Sequence, residues 1–496
     1  MIRALGEPLV VFLIPFAIYV AWLAVRLVNP FAIDRWTRRV VIPLAFCGLV
    51  LAVGALVVLG VTAPRVRGWL RAGASRKRPR RSGPDAMNDA RQLLDDPALQ
   101  RVLALLDRDG EEARVVGGAI RNALLGRPTT DMDITTTARP ETVTQRAAAA
   151  GVRTVPTGIA HGTVTLIVEG RPFEVTTLRE DVDTDGRHAV VRFGRDFAAD
   201  AIRRDFTINA LSMGPDGVVH DYAGGLADLA AGRVRFIGDP DTRIAEDYLR
   251  ILRFFRFSAD YAEGELDPDG LAAAIRGRAG LARLSRERIR QEVLKLLGAR
   301  RATAATTAMA DAGLLGPLLQ SLPQPHRLGR LVAIAPGADV VLRLAAVSAV
   351  VPDDAVRLRE ALRLSTAEAL RLERATMARC RLHPAASAPD QQRLLELLFD
   401  LGRPGARDGL MLAWVDSAAV PDDAGWGAAL RILEEMPEPR LPFAGAALIA
   451  RGIPPGRAMG ETRNRLKRAW IDAGFPEDPD HLAALLDAAV PPAQDQ

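Results

Sequence analysis

Val115-Val116-Gly117-Gly118-Ala119-Ile120-Arg121-Asn122-Ala123-Leu124-Leu125-Gly126, followed by Asp131-Met132-Asp133-Ile134-Thr135, is the stretch that decides how this chain is read. An apolar strand runs into two glycines, whose missing Cβ lets backbone N–H groups come close to a phosphate chain. Arg121 opens the next helix, at the end where unpaired N–H groups and the macrodipole favour anions. In extended chain, residues two apart share a face, so Asp131 and Asp133 project together, roughly 7 Å apart. Such a pair suits Mg²⁺, which takes hard oxygens and leaves room for substrate phosphates. A second β-branched run, Phe173-Glu174-Val175-Thr176-Thr177-Leu178-Arg179, offers a third carboxylate in Glu174 and a phosphate-directed cation in Arg179. Taken singly, a Gly-Gly pair or two strand-end aspartates are more often turn residues. In this order they specify nucleotidyl transfer. Asp131, Asp133 and Glu174 are then the catalytic, metal-holding carboxylates of a two-Mg²⁺ site, with Gly117, Gly118, Arg121 and Arg179 on the nucleotide.

With these residues in place, the chain resembles the class II CCA-adding tRNA nucleotidyltransferases and the related bacterial poly(A) polymerases. The resemblance runs over roughly residues 95–300. It includes Ala160-His161-Gly162-Thr163, Arg203-Arg204-Asp205-Phe206-Thr207-Ile208-Asn209, Asp221-Tyr222-Ala223-Gly224-Gly225-Leu226-Ala227-Asp228 and Leu284-Ser285-Arg286-Glu287-Arg288-Ile289. It also includes Glu246-Asp247-Tyr248-Leu249-Arg250-Ile251-Leu252-Arg253-Phe254-Phe255-Arg256-Phe257. The resemblance implies CTP and ATP as substrates and tRNA as partner, with Arg204 on the incoming nucleotide and Asp205 and Asn209 bracing its site. It implies that Asp247 and Arg250 read the base edge. A carboxylate only accepts and a guanidinium only donates, so the two together match an amino group and a ring nitrogen present on C and A. Arg253 and Arg256 continue at spacing three and suit triphosphate or base contacts. Two departures stand out. Asn122 occupies a position where the family usually has Asp, so a neutral hydrogen bond replaces an ion pair with Arg121. Tyr222-Ala223 replaces a Pro-aromatic pair in what reads as a turn.

Composition agrees with a large globular protein. The chain has 496 residues, 49% hydrophobic and 25% charged, enough for about three domains. The first 85 residues hold 13 Lys and Arg against three Asp and Glu, a net of +10, so the formal charge of +5 leaves −5 for the rest. Cys47 and Cys380 are the only cysteines, which excludes a disulfide framework and a thiolate zinc site. Six histidines form no ligand cluster, so His220-Asp221 does not read as a metal phosphohydrolase centre.

The N-terminus reads as a separate unit. Residues 9–25 and 40–61 are apolar, 17 and 22 long where a span needs about 20, and predict a transmembrane helical hairpin. A signal peptide is the competing reading of the first run, weakened by the second run that follows. Arg65, Arg67, Arg71, Arg76, Lys77, Arg78, Arg80 and Arg81 form a basic block that the positive-inside rule keeps cytoplasmic. The expected location is the cytoplasmic membrane, multi-pass, with the catalytic part in the cytoplasm.

The expected fold is an α+β nucleotidyltransferase head with a small mixed β-sheet, then an all-α neck, body and tail, behind the N-terminal hairpin. The expected divisions are membrane helices over 1–64, basic linker over 65–90, head over 91–215, neck with base-reading helix over 216–300, and tRNA-binding body and tail over 301–496. In the tail, Leu441-Pro442-Phe443 and Gly452-Ile453-Pro454-Pro455-Gly456, with Arg457, Arg463, Arg465, Lys467 and Arg468, resemble the tRNA-gripping tail of CCA-adding enzymes. The leading function is untemplated addition of C, C and A to tRNA 3′ ends. Poly(A) addition to RNA and a membrane-anchored RNA-binding protein are the alternatives. Oligomeric state is not encoded in any motif.

Overall fold

The computed structural model describes residues 84–129, 131–158, 162–184 and 189–489. The apolar runs 9–25 and 40–61 of the expected hairpin, Cys47, the basic block over 65–81, and Ala160 and His161 lie outside the described residues. Among the described residues, no helix is long and apolar enough to cross a membrane. The linker expected over 65–90 is cut short, because Pro84–Arg91 is already helix α1. Its Ala86 and Ala90, one turn apart, are buried.

The head begins with α2 (Pro97–Leu106), started by the Asp96 carboxylate accepting from the Ala98 and Leu99 N–H groups, with Pro97 in the first turn. Leu99, Val102, Leu103 and Leu106 form its buried stripe. Strand β1 (Ala113–Val116) leads to α3 (Gly118–Leu124), β2 (Asp133–Thr136), α4 (Pro140–Ala149), β3 (Arg153–Gly158), β4 (Thr163–Val168) and β5 (Arg171–Thr177). Then come β6 (Arg179–Thr184) and β7 (Ala189–Phe193), α5 (Phe197–Ile202), and the two-residue strands β8 (Ser212–Met213) and β9 (Val219–His220). Seven strands pair in the order β3-β4-β5-β2-β1-β8-β9, while β6 and β7 make a separate antiparallel hairpin. Within the seven, β2 and β5 run parallel and the other pairings are antiparallel. This is the mixed sheet expected. It runs past the expected boundary at 215 to His220, because β8 and β9 are too short to show alternation in sequence.

The neck comprises α6 (Gly225–Ala231), α7 (Pro240–Glu246), α8 (Leu249–Tyr261), α9 (Pro268–Arg276) and α10 (Arg286–Gly298). In α8, Ile251, Leu252, Phe254, Phe255 and Phe257 are buried, which leaves Arg250, Arg253 and Arg256 as a row on the other side. From Ala302 to Ala489 every element is helical, as expected of the body and tail. One buried apolar cluster runs from Ala86 to Val415 and so joins the head, the neck and part of the body. The last described helices pack round Phe443, Leu448, Leu466, Trp470 and Phe475.

Candidate active site

Strand pairing brings the predicted carboxylates to one edge of the sheet. Asp133, first residue of β2, lies directly opposite Glu174 of β5 in the parallel register, and both are exposed, as is Asp131 just before the strand. Partial desolvation pushes the Asp133 carboxyl above its ordinary range; Arg204 opposes this and the Asp131 charge adds to it. Glu174 is pushed up for the same reason, first by desolvation and then by Asp133. Acidic groups held against their own repulsion form an oxygen donor set that suits a hard cation. The expected convergence of three ligands is incomplete, however. Among the described residues, no three His, Cys, Asp or Glu side chains gather round one point. Phosphate oxygens would complete the shell, since Mg²⁺ is commonly held by one or two carboxylates plus substrate.

Beside them lies the glycine turn. Gly117 has φ +65°, a conformation that disfavours a side chain. A Cβ there would stand 3.3 Å from Arg204 Nη1 and 3.6 Å from the Asn209 carbonyl oxygen. Its N–H donates to the Leu211 carbonyl at 2.9 Å, which seats the turn on the segment leading into β8. Arg204 thus lies over the turn expected to cradle phosphates. Its Nη2 also donates to Thr135 Oγ1 at 3.5 Å, on the same face of β2 as Asp133. Asp200 of α5, 4% exposed, holds the arginine there: its Oδ2 accepts from Arg204 Nε and Nη2 at 3.1 and 3.0 Å. Its Oδ1 accepts from Arg203 Nε at 3.0 Å. Asp200 escaped the sequence reading, although its i+3 and i+4 spacing to two arginines was visible.

Asp205 and Asn209, which the resemblance expects to brace the site, are bonded to each other and to α8. Asp205 Oδ1 accepts from the Phe206 N–H at 2.9 Å and from Asn209 Nδ2 at 3.0 Å, and Oδ2 accepts from Arg253 Nε at 2.6 Å. Asn209 Oδ1 in turn accepts from Arg121 Nη1. Arg121 lies elsewhere than at a helix mouth facing phosphate: it is the fourth residue of α3, 7% exposed, and its guanidinium reaches inward. Its Nη2 donates to Tyr261 Oη at 2.8 Å and to Asn122 Oδ1 at 3.3 Å, the neutral bond expected from Asn122. Arg253 and Arg256 are likewise engaged by protein. Arg256 Nε donates to Glu292 Oε2 at 2.5 Å, and Arg253 Nη1 lies 3.9 Å from Glu292 Oε1. Glu292, on α10 and 36 residues from Arg256, carried no sequence signal.

The two base-reading candidates are near neighbours with separate partners. Asp247 Oδ1 accepts from the Leu249 N–H at 3.0 Å, starting α8, and Oδ2 accepts from Arg288 Nη2 at 2.7 Å. Arg250 Nη1 donates to the Arg243 carbonyl at 2.8 Å and to Glu246 Oε2. Arg179 is the first residue of β6 and follows Leu178, whose N–H donates to the Thr136 carbonyl at the end of β2. Gly118, first residue of α3, would place a Cβ 3.6 Å from Arg121 Nη2. The motif round Asp221 is a turn, as expected: its carboxylate accepts from the Ala223, Gly225 and Leu226 N–H groups. In the tail row, Lys467 donates to Asp400 Oδ1 at 2.8 Å and Arg457 pairs with Glu461.

A glycine turn under an anchored arginine, beside carboxylates on adjacent strands, defines a nucleotidyltransferase head, here continuous with the arginine-lined helix α8. Residues 113–235 match the family model of the Poly A polymerase head domain, and residues 265–324 match that of the probable RNA and SrmB-binding site of polymerase A. The mitochondrial CCA tRNA nucleotidyltransferase 1 of Mus musculus is 32% identical over 406 residues, covering 80% of this chain and 91% of its own. The Danio rerio counterpart is 48% identical over 189 residues, 38% of this chain and 44% of its own. The Bacillus stearothermophilus CCA-adding enzyme, solved in complex with CTP, aligns with a TM-score of 0.62 at 27% identity, over 79% of this chain and 98% of its own. The chain belongs to the family of class II CCA-adding tRNA nucleotidyltransferases and poly(A) polymerases.

Proposed function

We propose that this protein adds the terminal C, C and A nucleotides to tRNA 3′ ends from CTP and ATP, with no nucleic-acid template, releasing pyrophosphate. The observation that carries this is the register of Asp133 against Glu174 beside the Gly117 turn, in a chain whose mouse relative aligns over 91% of its own length. In the reaction, the primer 3′ oxygen forms a bond to the α-phosphorus, the bond to the bridging oxygen breaks, and pyrophosphate leaves. Asp131, Asp133 and Glu174 would hold two Mg²⁺, which when bound neutralise charge on the triphosphate and favour the ionised 3′ oxygen. The Gly117-Gly118 turn lets backbone approach the phosphates, and Arg204 supplies a fixed positive charge above them. Arg253 and Arg256 add positive field from α8. Asp247 and Arg250 accept from and donate to the base edge, so the protein itself does the work of a template.

Poly(A) addition shares the head chemistry, and nothing in the neck favours it over CCA addition. A purely RNA-binding role leaves the intact carboxylate set without a purpose. The decisive experiment supplies purified protein with Mg²⁺, CTP, ATP and a tRNA lacking its terminal triplet. CTP incorporation followed by a single ATP supports the reading; ATP-only tailing overturns it. The apolar runs 9–25 and 40–61 and the basic block beside them further support tethering at the cytoplasmic membrane with the head in the cytoplasm. Recovery of the activity in the soluble fraction of lysed cells would exclude this.

A further inference from the structure

Arg121 is a buried cation whose hydrogen-bond partners are Asn209, Asn122 and Tyr261, none of them a carboxylate. Burial lowers its proton affinity, with Tyr261 opposing. Holding a charge in the interior without a paired anion is costly, so the position has to be enforced by its surroundings. The enforcement comes from α8. The Arg121 guanidinium lies 4.1 Å from the centre of the Tyr261 ring and 5.2 Å from that of Phe257. Those rings stack on each other at 5.8 Å and 27°. Arg127, from the loop after α3, covers Tyr261 at 4.9 Å, while Arg253 and Arg256 cover Phe257 at 5.1 and 4.0 Å. Tyr261 also donates through its hydroxyl to Asn122 Oδ1 at 3.1 Å. From Arg253 the path runs through Asp205, Asn209 and Arg121 to Tyr261, so two residues of α8, eight apart, grip one head motif from both sides.

We infer that Tyr261 is a positioning residue for nucleotide addition: through Arg121 it locks α8 to the glycine turn and sets the spacing between the base-reading and triphosphate-side groups. The inference rests on the function proposed above. A nucleotide binds at both places at once, so a loosened joint costs affinity for CTP and ATP alike. The carboxylate edge of the sheet, built on β2 and β5, keeps its own geometry.

The test uses the full-length protein and steady-state kinetics of CTP and ATP addition. The wild-type arm alone decides whether the activity exists, so the two ideas fail separately. Tyr261→Phe removes one hydroxyl and keeps the ring. It is expected to raise KM for both nucleotides roughly tenfold, the worth of a hydrogen bond to a charged group, with kcat within about threefold. Adding Asn122→Asp gives Arg121 an anionic partner and is expected to bring KM back toward wild type. KM within twofold of wild type in Tyr261→Phe would overturn the inference. So would a KM rise that merely tracks the melting temperature across Tyr261→Phe, Tyr261→Leu and Phe257→Leu, since packing alone would then account for it.

Discussion

The two oxygens of the Asp200 carboxylate are divided between neighbouring arginines, Oδ1 bound by Arg203 and Oδ2 by Arg204. One buried acid on α5 therefore aims a cation at the glycine turn. Asp200→Asn keeps the volume and removes the charge, so Arg204 regains freedom and the turn loses a fixed positive group. KM for CTP should rise by roughly 10- to 100-fold, the worth of one or two charge-assisted bonds, with a stability loss of about 1–3 kcal/mol. Steady-state kinetics together with urea unfolding would measure both.

Asp133 behaves differently because partial desolvation disfavours its ionised form, with the Asp131 charge adding to this and Arg204 opposing it. Asp133→Asn should reduce nucleotide incorporation by roughly a thousandfold or more if the carboxylates hold the metals as proposed, since bound metals supply several kcal/mol of charge stabilisation. Stability should stay within about 0.5 kcal/mol of wild type or rise, because an exposed side chain with a like-charged neighbour is being neutralised. A melting temperature that fell along with the activity would show that Asp133 supports the fold instead.

Asp133 and the Gly117 turn were legible in the sequence because each is local: the aspartate opens a β-branched strand, and the glycine announces its own backbone angle. Asp131 falls just before that strand, and Glu174 reaches Asp133 only through pairing of distant strands. The arginine row of α8 was legible from its spacing of three, and Asp205 and Asn209 were singled out by the resemblance. What stayed hidden was each group's distant partner. Arg121 meets Tyr261 140 residues away, Arg253 meets Asp205 48 away, and Asp247 meets Arg288 41 away. No periodicity encodes such pairs. Arg121 looked like a phosphate ligand because helix position was readable and burial was not. The head boundary fell short at 215 because β8 and β9 hold two residues each.

The Asp247 and Arg250 side chains each have another protein partner, so a base read there as proposed would compete with or rearrange these contacts. Asp247→Ala removes the acceptor while the carboxylates on β2 and β5 remain in place. Discrimination of CTP against GTP and UTP should fall by about 10- to 100-fold, the value of one good polar contact, while Mn²⁺ or Mg²⁺ binding is unchanged. Single-nucleotide incorporation with each of the four triphosphates would check this, and an unaltered preference would remove Asp247 from base reading.

Acid should loosen the joint between head and neck through Asp205. Burial by itself raises the Asp205 pKa, but Arg253 and the hydrogen bonds from Asn209, Arg253 and the Phe206 N–H outweigh it and hold it below the ordinary value. In the unfolded chain this carboxyl takes up its proton near pH 4, while the folded one still resists. The stabilisation is therefore complete above that value and drains away as pH falls toward the lower folded pKa. Asp205→Asn should be less stable than wild type at pH 7, and the gap should narrow as pH falls below about 4. Urea midpoints measured from pH 7 down to the acid limit of folding would test the sign. A gap that widened in acid would mean that the Asp205 carboxyl is held above its ordinary range, and that Arg253 does not stabilise its charge.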